Sequence, residues 1–335
     1  MDAETSNRIG IIGAGGWGLA LANVLSSRHA VSVWVYEKPE LDALSRDRES
    51  RTYLPDIKLN ASIRFSDSLE DTARDTDVIV MVTPSFAYRS AAEGIAPFIT
   101  KKTVVVSATK GLEVGSTRTM SEVARSVLPK GVEVLTLSGP SHAEEVGRLV
   151  PTAVVLAGKK LSTARRIRDV FMTPPYFRVY TSDDQKGVEL GGSLKNIIAI
   201  AAGVIDGLHL GDNPKAALIT RGLAEIVRFG VTHGAKAKTF YGLSGVGDLI
   251  VTCASELSRN HHVGRLIAEG KNYDDIRASM KQVAEGVYAA KAIHEYAKKH
   301  KVVMPITESV YRVLFEKSNA KEELMALMSR GAKEE

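Results

Sequence analysis

From Arg8 to about Tyr180, short runs of β-branched residues alternate with stretches whose apolar positions follow a helical period. The runs at residues 9–12, 31–35, 78–83, 104–107, 134–138, 153–156 and 178–180 read as strands. Near-continuous apolar strands separated by helices predict a parallel sheet covered on both faces. After Asp184 the pattern changes, and helices are expected at 189–205, 214–233, 249–255, 259–269, 286–299 and 305–315, with no further β-rich run. The chain therefore divides into an α/β part, residues 1–187, and an all-helical part, residues 188–335.

The first predicted strand runs into Gly13-Ala14-Gly15-Gly16-Trp17-Gly18, a GxGxxG that opens the first predicted helix. In that context Gly13 makes a tight turn, Gly15 lets the backbone approach a pyrophosphate, and Gly18 lets helix pack on strand. The free N–H groups and positive dipole end of the helix then attract the anion. The α/β part is thus expected to be a Rossmann-type doubly wound sheet that binds a dinucleotide. Glu37 lies 19 residues beyond Gly18, where an acid binds the adenosine ribose hydroxyls and repels a 2′-phosphate. This leans toward NAD over NADP, although Lys38 and Arg46 stand nearby and Glu37 could equally open a solvated loop.

Composition narrows the chemistry only slightly. A net charge of +5 suits acidic ligands from phosphate esters to nucleic acid, but no nucleic-acid recognition motif or aromatic-basic platform accompanies it. The run Lys298, Lys299, His300, Lys301 reads as a solvated helix end. A single cysteine, Cys253, excludes an intramolecular disulfide framework and any CxxC motif, and reads as a small buried residue. His261 and His262 have no third ligand at metal spacing, so no metal site is expected. The polar start, Met1 to Asn7, and the charged end, Gly331 to Glu335, carry no recognisable signal, and no membrane insertion is expected.

A dehydrogenase that reduces a ketone needs a proton donor beside the carbonyl, and a phosphorylated substrate needs an anion pocket. Lys195 is the one cation of the apolar helix at 189–205, and Gly191, Gly192, Ile198 and Ala199 on its face supply no carboxylate. Held there, a lysine loses hydration and exchanges its proton nearer neutrality; the other reading is a lysine reaching to solvent from a helix edge. The glycines also leave room for a ligand. Asp248 ends the glycine-rich turn Gly242–Gly247, where it either caps the next helix or orients Lys195. Ser258 precedes another helix that Arg259 opens, a capped helix start with a guanidinium suited to phosphate, or simply a solvated arginine.

The segments GAGGWGLALA from Gly13, TPS from Thr83, SATKGLE from Ser107, LSGPSHAEEV from Leu137, the long run from Val188 to Glu225, GLSGVGDLIVTC from Gly242 and SRNHHVG from Ser258 follow one another in an order that resembles the bacterial-type NAD(P)-dependent glycerol-3-phosphate dehydrogenase family. The resemblance implies hydride exchange between NAD(H) or NADP(H) and dihydroxyacetone phosphate or glycerol 3-phosphate, in a cytoplasmic homodimer serving phospholipid synthesis. It implies that Lys195 transfers the proton and that Lys110, Gly139, Ser141, Asp248, Ser258, Arg259 and Asn260 surround the substrate. Gly16, Trp17, Tyr36, Tyr53, Lys110, Ala143, Arg259, Val283 and Glu285 would line the cofactor site, with Lys110 ending a strand at the ligand-binding edge of the sheet. Gly16 departs from the serine or threonine common there and removes a hydroxyl from the turn. Tyr36 and Glu37 replace an NADP-binding cation. Another two-domain hydroxyacid dehydrogenase, or a non-catalytic dinucleotide sensor, remains open at this point.

Overall fold

The computed structural model describes residues 6–280 and 282–331, so the polar start at 1–5 and the charged end at 332–335 lie outside the described residues. Eight strands, β1 (Arg8–Ile12), β2 (Ala30–Trp34), β3 (Arg64–Ser66), β4 (Val78–Met81), β5 (Val104–Ser107), β6 (Glu133–Ser138), β7 (Thr152–Ala157) and β8 (Phe177–Ser182), form one sheet in the order β3-β2-β1-β4-β5-β6-β7-β8. The first six are parallel in the 3-2-1-4-5-6 order of dinucleotide-binding sheets, so the strand order reverses between β1 and β4. Alternate residues face opposite sides. Ile9, Ile11, Val80 and Val106 enter one apolar layer, and Ile12, Ile79, Met81 and Val105 enter the other. The connecting helices are α1 (Gly16–Leu25), α2 (Lys38–Asp47), α3 (Leu69–Ala73), α4 (Ser85–Ile95), α5 (Met120–Val127), α6 (Ala143–Gly147) and α7 (Leu161–Phe171).

The sheet is not wholly parallel: β6 and β7 pair antiparallel. The connection between them holds only the five-residue α6. Such a helix advances about 7 Å against the roughly 20 Å of a six-residue strand, too little to carry the chain back for a parallel return. The third strand, β3, was not anticipated; it has three residues, Arg-Phe-Ser, and no apolar run. β5 ends at Ser107, so Lys110 lies three residues past the strand rather than at its end.

The chain separates into two compact units, residues 1–110 with 118–189, and residues 111–117 with 190–335. The second holds most of α8 (Gln185–Gly207), together with α9 (Asp212–Thr232), α10 (Asp248–Ala254), α11 (Arg259–Ala268), α12 (Tyr273–Ser279), α13 (Glu285–His300), α14 (Pro305–Phe315) and α15 (Ala320–Met328). α8 is apolar on every side and contributes Leu194, Ile197, Ile198, Ala199, Ile200, Ala202 and Ile205 to the core. It is long and apolar enough to cross a membrane, but 94% of that stretch is buried within the protein. The segment read as a glycine-rich turn is a π-helical turn, Leu243–Gly247, that runs straight into α10.

Candidate active site

In the first unit the glycine turn follows β1 as the spacing requires. Gly13 has φ +121°, a region open to glycine, and a Cβ on Gly18 would stand 2.0 Å from the Gly13 carbonyl oxygen, so α1 packs on the turn only without one. Gly15 faces open space and its residue is extended, which leaves the backbone approachable. Gly16 has its own reason to be glycine: a Cβ there would lie 2.4 Å from the Tyr53 carbonyl oxygen and 3.4 Å from the Ala143 side chain. The missing hydroxyl is thus the condition for Tyr53 and Ala143 to close on the turn.

No acidic residue stands in the first turn of α1, and the Trp17 indole N–H is buried without a hydrogen-bond partner among the described residues. An open backbone, a positive helix end and an orphaned donor fit the pyrophosphate of a dinucleotide. Glu37 lies exposed past the end of β2, and the Tyr53 hydroxyl donates to its Oε2 at 2.9 Å. Burial, and then Glu37, push the Tyr53 phenol up to about 12, so it remains protonated and a donor at neutral pH. Tyr36, next to Glu37 in the chain, is 82% exposed, with its ring tilted against Trp34 at 5.8 Å between centroids. Across the sheet, Lys110 Nζ donates to the Gly139 carbonyl at 2.8 Å and to Ser141 Oγ at 3.4 Å, and Ser141 Oγ donates to the same carbonyl at 3.0 Å. Three of the expected substrate residues are therefore already one polar cluster.

In the second unit Lys195 is 5% exposed, which rules out the reading in which it reaches to solvent. Its ammonium donates to Asp248 Oδ1 at 2.5 Å and to Thr252 Oγ1 at 2.6 Å. The carboxylate that holds the ammonium comes from a residue 53 positions away, where the helix alone offers none. Asp248 does not cap α10; Gly247 holds that position, and the carboxylate turns to Lys195. What brings it there is Gly191, one turn before Lys195, where a Cβ would meet the Ser244 carbonyl oxygen at 2.5 Å. The space beside the glycine is filled by the chain's own π-helical turn, and not left for a ligand.

Thr252 was not anticipated. It sits one turn after Asp248 on α10, and that i,i+4 spacing was the available signal. Asn196, the one amide in the apolar stretch of α8, was also passed over: its Oδ1 accepts from Asn260 Nδ2 at 3.0 Å. Asn260 Oδ1 in turn accepts from the Gly286 N–H at 2.8 Å, so the start of α11 and the half-buried segment carrying Val283 and Glu285 are tied to α8 next to Lys195. Ser258 caps α11 by accepting from the His261 N–H at 3.2 Å, and a hydroxyl that accepts still has its proton to donate. Arg259 is the exposed first residue of that helix. Cys253 is buried, and burial pushes its thiol up to about 12, which removes it from consideration as a nucleophile.

Known proteins are similar to this chain over nearly its whole length. The chain is 54% identical over 328 residues to the glycerol-3-phosphate dehydrogenase [NAD(P)+] of Brachyspira hyodysenteriae, covering 98% of each chain, and 48% identical to that of Agathobacter rectalis, covering 98% of this chain and 97% of the other. The crystal structure of glycerol-3-phosphate dehydrogenase from Coxiella burnetii superposes with a TM-score of 0.93 at 38% identity, over 97% of this chain and 99% of that one. Residues 8–164 match the N-terminal part, and residues 184–325 the C-terminal part, of the NAD-dependent glycerol-3-phosphate dehydrogenases, and the chain belongs to that family.

Proposed function

We propose that this chain interconverts dihydroxyacetone phosphate and sn-glycerol 3-phosphate with NAD(H) or NADP(H), preferring NAD(H). The observation that carries the reading is the buried Lys195 ammonium held between Asp248 and Thr252. The nicotinamide, when bound, supplies or accepts the hydride at C2 of the substrate. In reduction, negative charge grows on the C2 oxygen; Lys195 Nζ stabilises that charge and gives it a proton. Asp248 and Thr252 hold the ammonium in one direction throughout, and the low exposure of the group strengthens its field.

Arg259 and Ser258, at the start of α11, take the substrate phosphate, while Lys110, Gly139 and Ser141 contribute polar groups around the rest of the molecule. Gly13, Gly15, Gly16, Trp17 and Gly18 hold the pyrophosphate, with Ala143 and the Tyr53 backbone closing over it. Tyr36, Glu37 and the Tyr53 hydroxyl take the adenosine end, and Arg259, Val283 and Glu285 are further cofactor contacts. The Glu37 carboxylate hydrogen-bonds a free ribose and repels a 2′-phosphate, which supports the preference for NAD(H). In the cell the protein works in the cytoplasm as a homodimer that makes glycerol 3-phosphate for phospholipids.

The test is steady-state oxidation of NADH and of NADPH with dihydroxyacetone phosphate. Turnover with both, and a higher kcat/KM with NADH, is expected. No oxidation of either coenzyme overturns the reaction, and a higher kcat/KM with NADPH overturns the preference alone.

A further inference from the structure

α8 and α11 meet backbone to backbone. A Cβ on Gly203 would stand 1.9 Å from the His261 carbonyl oxygen, and one on Gly264 would stand 1.9 Å from the Ile200 carbonyl oxygen. This contact sets the distance between the helices, but a smooth glycine surface does little to fix how far one slides along the other. That register is set by a polar bond at the same level. His261 Nε2 lies 2.7 Å from Asp206 Oδ2, with the imidazole side chain 6% exposed. A carboxylate can only accept, so the imidazole donates. The other oxygen of Asp206 takes the Lys215 ammonium of α9 at 2.7 Å. Burial raises the Asp206 carboxyl, but its bonds from Lys215 and His261 outweigh that and leave it below the ordinary carboxylate range, hence charged at neutral pH.

The same residue faces the anion site with its main chain. The His261 N–H is the one capped by Ser258 Oγ, so the side-chain anchor and the capped turn that presents Ser258 and Arg259 are one rigid piece. Lys195 and Asp206 share α8, 11 residues or about 16 Å apart. Neither Asp206 nor His261 is thereby placed at the reacting atoms.

We propose that His261 and Asp206 are positioning residues that lock the Ser258–Arg259 turn of α11 in register with Lys195 on α8, with Lys215 steadying Asp206. The inference rests on the reading that Arg259 takes the substrate phosphate. A turn free to slide presents the guanidinium and the cap at the wrong distance from the proton donor, which weakens phosphate binding while leaving the chemistry of a correctly seated substrate intact.

The experiment measures kcat, KM for dihydroxyacetone phosphate, the inhibition constant of inorganic phosphate, KM for NADH and Tm in Arg259→Ala, His261→Ala, His261→Gln and Asp206→Asn. Arg259→Ala and His261→Ala are expected to raise the substrate KM and the phosphate inhibition constant by about tenfold or more, and in His261→Ala kcat stays within about threefold of the parent. His261→Gln, whose amide can still donate to Asp206, recovers most of the loss, and Asp206→Asn, which keeps the size of the side chain and loses its charge, falls between. An unchanged KM in Arg259→Ala overturns the phosphate reading and this inference with it. A raised KM in Arg259→Ala beside unchanged KM and inhibition constants in His261→Ala and Asp206→Asn, whatever their Tm, overturns this inference alone.

Discussion

The Tyr53 hydroxyl donates to Glu37 Oε2 at 2.9 Å, while the Tyr53 backbone carbonyl oxygen lies 2.4 Å from where a Cβ on Gly16 would be. One residue therefore closes over the glycine turn with its main chain and aims the carboxylate past β2 with its side chain. If Glu37 discriminates by repelling a 2′-phosphate, Glu37→Gln removes the repulsion while keeping an acceptor for Tyr53. The ratio of kcat/KM for NADH to that for NADPH should fall about tenfold, the scale of one close charge contact largely screened by water, as expected for an exposed carboxylate. Tyr53→Phe, which frees the carboxylate without neutralising it, should lower the ratio less. Steady-state kinetics with both coenzymes decides it; an unchanged ratio in Glu37→Gln would assign the preference to other residues.

Lys195 and Asp248 form a pair with side chains 7% and 1% exposed, and its two members should fail differently. Lys195→Ala removes the proton donor, so kcat should fall by about three orders of magnitude while the NADH dissociation constant, measured by fluorescence, stays within about twofold. Asp248→Asn leaves a buried ammonium without its counter-charge, a loss of about 3 kcal/mol or more in stability on top of the loss in rate. Replacing both, as Lys195→Met with Asp248→Leu, should be more stable than Asp248→Asn alone, because no unpaired charge remains. Thermal melts of the three proteins test this, and a double variant less stable than Asp248→Asn contradicts it.

The sheet and the glycine turn were legible in the sequence because their signals are local: buried parallel strands are continuous apolar runs, and the turn needs glycines at fixed offsets. Lys195 was legible as a lone cation in an apolar helix. Its partners were less so. Asp248 stood out only at the end of a glycine run, and Thr252, 57 residues from Lys195, gains its role from a tertiary contact that no spacing around Lys195 encodes. β3 carries no signal because three residues with one aromatic show no alternation, and α15 carries a weak one because its apolar residues Leu324 and Leu327 are only half-buried. The packing reason for Gly16 is hidden in the sequence because the backbone it makes room for belongs to Tyr53, 37 residues along the chain.

Glu225, buried on α9, accepts from the Ile306 and Thr307 N–H groups and from the Thr307 hydroxyl, satisfying the first donors of α14 from another helix. Burial pushes its carboxyl up, the bonds from Thr307 and Ile306 pull it back in part, and the net position is above the ordinary value of 4.5. A carboxyl raised in the folded state takes up a proton on folding. Its contribution is complete below the unfolded value and is lost as pH rises through the folded one. Glu225→Gln has no such titration. The Tm of the parent minus that of Glu225→Gln should therefore decrease from acid to neutral pH, and a difference that grows over that range would place the carboxyl on the other side of its ordinary value.

Gly191→Ala tests how the π-helical turn is held. In an isolated helix the change would stabilise by about 1 kcal/mol through propensity. Here the new Cβ meets the Ser244 carbonyl oxygen at 2.5 Å, and that atom is backbone, with no rotamer to escape into. Ser244 belongs to the turn that delivers Asp248 to Lys195, so the turn must lift and carry the carboxylate with it. A displacement of about 1 Å in such a group costs on the order of a hundredfold in rate. The expected outcome is a kcat lower by about tenfold to a hundredfold, with helical content by circular dichroism unchanged and KM for NADH near that of the parent. An active Gly191→Ala protein with a raised Tm would mean that the helix propensity prevails, and that the approach of Asp248 to Lys195 is set somewhere other than at this glycine.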